Sequence, residues 1–223
     1  SAGGLAAEAH DPITVSHGYS YFGDLKYPAD FAHLDYVNPV APKGGELSQW
    51  FFGAFDSFNP YARQGNQPAL SAIPFETVMT SFADDATASY CFLCTTVEYP
   101  ESLDWAIFTL RDDVRFSDGS ALTAEDVKFS FNLFMEQGLP SYRAAVSGMV
   151  AEIEILSPLQ IKFTFTEDAP RRDVIDLAGG IPVFSKTSFD SPGSRLDDFS
   201  LLPFIGTGPY VLDSYLVNKR VIY

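Results

Sequence analysis

Phe108-Thr-Leu-Arg111-Asp-Asp-Val114-Arg-Phe116-Ser-Asp118-Gly119-Ser-Ala-Leu-Thr123-Ala-Glu-Asp126-Val127 reads as a strand, a tight turn and a capped helix. Phe108 and Leu110 alternate with polar neighbours, which is the period of a half-buried strand. Asp118-Gly119 supplies the turn, because Gly tolerates positive φ and Asp bonds its own backbone two residues on. Thr123 followed by Asp126 approximates a capping box and sets a helix start. The helix extends from Ala124 to about Gln137, with Val127, Phe131, Phe134 and Met135 on one face, and Gly138 and Pro140 stop it.

Working outward, two hairpins flank this unit. Thr95–Tyr99 and Trp105–Leu110 face each other across Pro100–Asp104, and Ile153/Ile155 face Ile161/Phe163/Phe165 across Ser157-Pro158. Glu46–Phe52 predicts a further strand, Ala69–Met79 a short helix interrupted by Pro74, and Pro170–Leu177 a helix closed by Gly179-Gly180. Ile181–Ser185 reads as extended chain, and Tyr210–Leu216 as a last strand after the glycine-rich Phe204–Tyr210 turn. The class is α/β, in the α+β sense with mixed sheets.

Composition narrows the partners. Twenty-nine acidic against 14 basic residues give a formal net charge of −15. Nucleic acid and anionic membrane surfaces both require a basic face, so neither is an expected partner. No run reaches the ~18 apolar residues of a membrane span. Ala7-Glu8-Ala9 has the A-x-A form of a signal-peptidase site, which favours an exported protein. Residues 1–12 are therefore read as a processing or expression remnant, outside the fold.

No catalytic constellation stands out. G-x-S-x-G, H-E-x-x-H and the P-loop are missing, and Gly206-Thr-Gly208 is too short for a dinucleotide loop and precedes a strand. The histidines His10, His17 and His33 have no metal-ligand spacing, so no metal and no cofactor are expected. Cys91 and Cys94 leave three readings open: structural cysteines or a local disulfide, a redox dithiol, or part of a metal site. Ser-Tyr-Cys-Phe-Leu-Cys-Thr-Thr-Val looks like a strand entry, where a redox dithiol normally sits at a helix N-terminus.

Three segments, in order, resemble the family 5 solute-binding proteins of bacterial ABC importers, which include the oligopeptide- and dipeptide-binding proteins. They are Phe58-Asn59-Pro60-Tyr61, the opening stretch, and Phe204-x-Gly206-Thr207-Gly208-Pro209-Tyr210. His17-Gly, Tyr21–Pro28, Tyr36-Val-Asn-Pro39 and Ala41–Gly45 look like the family's YejA-like branch, associated with oligopeptides and peptide-derived compounds such as microcin C.

The resemblance implies a periplasmic protein that is not an enzyme. Its partners would be a peptide or peptide-like ligand and an inner-membrane ABC permease. It also implies a two-lobed clamshell, of which this chain would hold the first lobe and an inserted α/β subdomain. The lobe would start at 13–58, the insert would occupy 59–180, and 181–223 would return to the lobe. The second lobe, and with it the C-terminal portion of the protein, would be missing.

The ligand-side loop of relatives corresponds to Arg63-Gln64-Gly65-Asn66-Gln67, where Gln64 offers a neutral amide in place of the acid some relatives carry. Tyr142 matches a ligand-proximal tyrosine, and Tyr21, with Tyr19 and Phe22, is a candidate for the cleft wall. The same residues also read as an ordinary surface loop and as packing groups. Two further readings compete: a thiol-redox protein using Cys91/Cys94, and a stand-alone interaction domain derived from such a lobe.

Overall fold

The structure, a computed structural model, describes residues 11–189, 195–199 and 205–223. Ala7-Glu8-Ala9, His10 and Phe204 lie outside the described residues. The centre is a five-stranded sheet of β1 (Ile13–Ser16), β5 (Cys94–Pro100), β6 (Trp105–Leu110), β7 (Val150–Ser157) and β8 (Gln160–Phe165), ordered β1-β5-β6-β8-β7. A second sheet of β2 (Gly18–Ser20), β3 (Met79–Phe82) and β4 (Asp85–Cys91) has the order β2-β4-β3. Every pairing among the described strands is antiparallel.

Both predicted hairpins form. Along β6, Ala106, Phe108 and Leu110 are buried, and along β8, Ile161, Phe163 and Phe165 are. Phe108 pairs with Ile161 in register, so the apolar face is continuous across strands. Helix α1 (Ala124–Gln137) covers that face, with the Phe131 ring 5.6 Å from Phe163. Fully burying a phenylalanine of this kind contributes about 1.5–3 kcal/mol.

The opening stretch folds as read. Gly119 has φ +87°, and Asp118 Oδ1 accepts the Ser120 amide at 2.9 Å. Thr123 donates its amide (2.9 Å) and its hydroxyl (2.8 Å) to Asp126 Oδ2. Asp126 Oδ1 also accepts the amide of Lys186, at the start of α4 (Lys186–Phe189), at 2.9 Å. One carboxylate thus caps α1 and ties down α4. Helix α2 (Pro140–Val146) follows directly after Leu139.

Four expectations change. Residues 69–74 form turns where a helix was expected, with Leu70 at φ +64°. Pro68 and Pro74 remove amides from any helical ladder there, and the Pro74 carbonyl is used by Gly208 at 2.8 Å. Residues 46–52 are exposed and form no strand, because no described strand offers them a partner ladder. The 210–216 strand shrinks to β9 (Ser214–Leu216), paired with β10 (Arg220–Ile222) around Asn218 at φ +59°. The 170–177 helix starts later than expected, as α3 (Val174–Gly179), after a turn in which the Asp173 amide bonds Pro170 O.

Cys91 and Cys94 form a disulfide with Cα atoms 4.8 Å apart, joining the end of β4 to the start of β5. Of the three cysteine readings, this is the local disulfide. It lies at a strand–strand turn and not at a helix N-terminus.

Candidate functional site

The loop through residues 63–67 is tied back to residues 56 and 57. The amides of Asp56 and Ser57 donate to Asn66 O at 2.9 and 3.2 Å, and the Asn66 amide returns a bond to Asp56 Oδ1 at 2.6 Å. Gly65 turns the chain at φ +90°. That backbone angle favours glycine, and a Cβ there would stand 2.8 Å from the exposed Phe199 ring, which would have to move aside. Arg63, Gln64, Gly65 and Asn66 are exposed, and Gln67 is half-buried.

Asn59 explains why the loop holds its shape. It is fully buried, and its Nδ2 donates to Leu196 O and Asp198 O, both at 2.7 Å. Its Oδ1 accepts the Tyr61 amide at 2.9 Å. One side chain therefore satisfies two carbonyls of a segment more than 130 residues away and caps the loop entrance. Arg63 reaches the same segment through a 3.7 Å contact with Asp197, whose carboxylate Arg195 already binds at 2.9 Å.

The loop root leans on an aromatic cluster. The Tyr61 ring meets Phe75 at 5.7 Å, Phe134 at 5.2 Å and Phe184 at 5.6 Å. Tyr142, on α2, meets the same Phe134 at 5.9 Å. Burial raises both tyrosine hydroxyls above their usual range, that of Tyr142 to about 12, so both stay protonated near neutral pH. Phe134 thus brings Tyr142 and the base of the 63–67 loop to one surface of α1.

Tyr21 stands elsewhere. It lines a pocket of about 420 Å3 to which neither the 63–67 loop nor Tyr142 contributes. Phe22 and Arg172 line it too, and Asp176 completes its polar side. Tyr19 is a core residue, with its hydroxyl 3.4 Å from Arg172 O. Arg172 and Asp176 carry no sequence signal beyond an acidic residue in the first turn of a short helix. The β4 neighbour of Asp176, Ser89, is more than 80 residues away in sequence.

The three motif segments converge. Gly206 O accepts the Ser117 amide of the opening stretch at 3.0 Å, and the Gly208 amide donates to Pro74 O at 2.8 Å. A Cβ on Gly206 would lie 1.9 Å from that carbonyl oxygen, so only glycine fits. Phe75, the next residue, carries the Tyr61 ring. Tyr61 and Gly206–Gly208 therefore meet at Pro74-Phe75, and Ser117 of the opening stretch joins them through Gly206. Among the described residues no group of three or more His, Cys, Asp or Glu is placed to hold a metal ion, and no helix is long and apolar enough to cross a membrane.

The family model described as bacterial extracellular solute-binding proteins, family 5 middle, matches residues 96–223. A probable peptide-binding protein YejA of Agrobacterium fabrum is 34% identical over 222 residues, covering 97% of this chain and 36% of the relative. A peptidoglycan-binding protein YepA of the same organism is 32% identical over 215 residues, covering 93% of this chain and 34% of the relative. The chain thus spans about a third of the length of these relatives. Among solved structures, the periplasmic binding protein DppA of Helicobacter pylori, in complex with the peptide STSA, superposes with a TM-score of 0.61. That likeness covers 76% of this chain and 37% of the other at 20% identity, and it speaks to the fold alone. The chain belongs to the bacterial extracellular solute-binding proteins of family 5.

Proposed function

We propose that this chain is part of the periplasmic substrate-binding component of an ABC importer. It takes up oligopeptides or peptide-derived compounds and hands them to an inner-membrane permease. The observation that carries the reading is the family match over residues 96–223. The names of the Agrobacterium relatives, one peptide-binding and one peptidoglycan-binding, support a ligand with peptide character. In this reading, residues 13–58 begin a first lobe, 59–180 are an inserted subdomain and 181–223 return to the lobe.

Arg63, Gln64, Gly65, Asn66 and Gln67 are the proposed first-lobe contacts, with Tyr142 behind them and Tyr21 on a further wall. The loop suits that task physically. Buried hydrogen bonds of Asn59 hold its entrance in place, yet it exposes amides and a guanidinium. A peptide backbone bound there would find donors and acceptors without a large ordering cost.

The test is an affinity capture. The immobilised chain is equilibrated with a mixed tri- to hexapeptide library, and the eluate is read by mass spectrometry. Retention of peptides over free amino acids is expected, falling at least fivefold in Gln64→Ala and Arg63→Ala. Equal retention by wild type and both variants would remove the loop from the site. No retention of any peptide would remove the peptide reading.

A further inference from the structure

The 420 Å3 pocket that contains Tyr21 has two chemically different walls. One is aromatic. The Tyr21 and Phe22 rings meet edge to face at 5.8 Å and are 52% and 63% exposed. The other is polar. Ser81 and Ser89 hydroxyls lie 3.2 Å apart on neighbouring strands, and Ser89 bonds the Asp176 carboxylate.

Charge is unevenly settled across these walls. The Arg172 guanidinium lies 5.6 Å over the Phe22 ring and 3.8 Å from Asp173, so its partners are already present. Asp176 has a hydroxyl partner but no ion pair among the described residues. Its carboxyl is solvent-reachable yet crowded by protein. Burial raises its pKa, the charge of Asp173 adds to that, and the Ser89 bond opposes it. A carboxylate in that setting is short of a cation. The aromatic wall favours the same guest, because ring faces attract ammonium groups and the apolar atoms that carry them. An anion would meet Asp173 and Asp176 together. A bare metal ion would find no set of three ligating side chains among the described residues.

We propose that this pocket binds the ammonium group of a small organic amine, with the ammonium on Asp176 and the apolar body of the amine against Tyr21 and Phe22. The volume lies within the range of small-molecule sites, about 300–1,000 Å3. The site does not depend on the 63–67 loop, none of whose residues lines it. It therefore extends the binding-protein reading without resting on it.

Three probes of matched shape separate the chemistry: 2-phenylethylamine, 2-phenylethanol and 3-phenylpropionate, titrated into the chain calorimetrically at pH 7. The amine is expected to bind at least tenfold tighter than either of the others. Asp176→Asn, which keeps an acceptor for Ser89, is expected to lower amine affinity at least tenfold, to the level of the alcohol. Phe22→Ala removes an exposed ring without touching the core and is expected to cost severalfold. It decides the matter if the Asn variant fails to fold by circular dichroism. Arg63→Ala and Gln64→Ala should leave amine binding unchanged, so peptide capture can fail while the amine site stands. Undetectable amine binding, equal affinity for the three probes, wild-type affinity in Asp176→Asn or Phe22→Ala, or loss confined to the loop variants would each overturn the proposal.

Discussion

Asn59 is the residue on which the loop geometry turns. Its side chain makes three bonds in a fully buried position, two of them to carbonyls of the 195–199 segment. Asn59→Ala would strand those carbonyls, at about 1–3 kcal/mol per unsatisfied buried group. The expected outcome is a loss of about 2–5 kcal/mol, measured by urea unfolding. Mild proteolysis should in addition show faster cleavage near residues 63–67 than in the wild-type chain.

Glu76 offers a pH test at the same scale. Burial raises its carboxyl above the ordinary value of 4.5, while the Thr207 hydroxyl and the Arg111 charge pull the other way. A carboxyl raised in the folded state binds protons more readily there than in the unfolded chain. It therefore lowers stability as pH rises through its folded pKa. Glu76→Gln is expected to raise the melting temperature at pH 7 relative to wild type, and the gain should vanish at pH 4 and below. A gain that is the same at both pH values would refute this assignment.

Among the elements, the β4–β5 turn carries a constraint that the strands alone do not supply. The Cys91–Cys94 disulfide joins the three-stranded sheet to the five-stranded one, and the Arg111 guanidinium bonds Phe92 O within the same turn at 3.2 Å. A loop this short gains little from cross-linking, roughly 2 kcal/mol in the chain-entropy picture. The Cys91→Ser/Cys94→Ser double variant should still fold, with its urea midpoint lowered by about that amount.

Helix α1 and the two hairpins were legible because their signals are local. Alternation along β6 and β8, the Asp118-Gly119 turn and the Thr123–Asp126 cap each lie within a few residues of the structure they specify. The 69–74 segment misled because its apolar residues have helical spacing, while its prolines and the approach of Gly208 impose turns.

At the scale of the whole molecule, Val40, Leu47, Trp50 and Phe52 form an exposed apolar run that no described strand covers. Phe52 alone is 93% exposed. Apolar surface of this extent drives association in water. The chain is expected to self-associate at tens of micromolar by sedimentation velocity, and the double variant Trp50→Ser/Phe52→Ser to sediment as a monomer. Concentration-independent sedimentation of the wild-type chain would contradict this. The formal charge of −15 opposes association over long range, so added salt should strengthen it.

The amino-acid sequence by itself determined the family, the hairpins, the capped helix and the glycine-rich turn, because each is written in contiguous residues whose spacing matches a backbone period. Only the tertiary structure decided what those pieces do together. It placed Asn59 on carbonyls at 196 and 198, set Gly206 against Pro74, and closed a pocket between Tyr21 and Asp176. Each of these is a contact across a long loop. Its energy comes from burial and unshared hydrogen-bond capacity at the meeting point, which no local pattern of residues records.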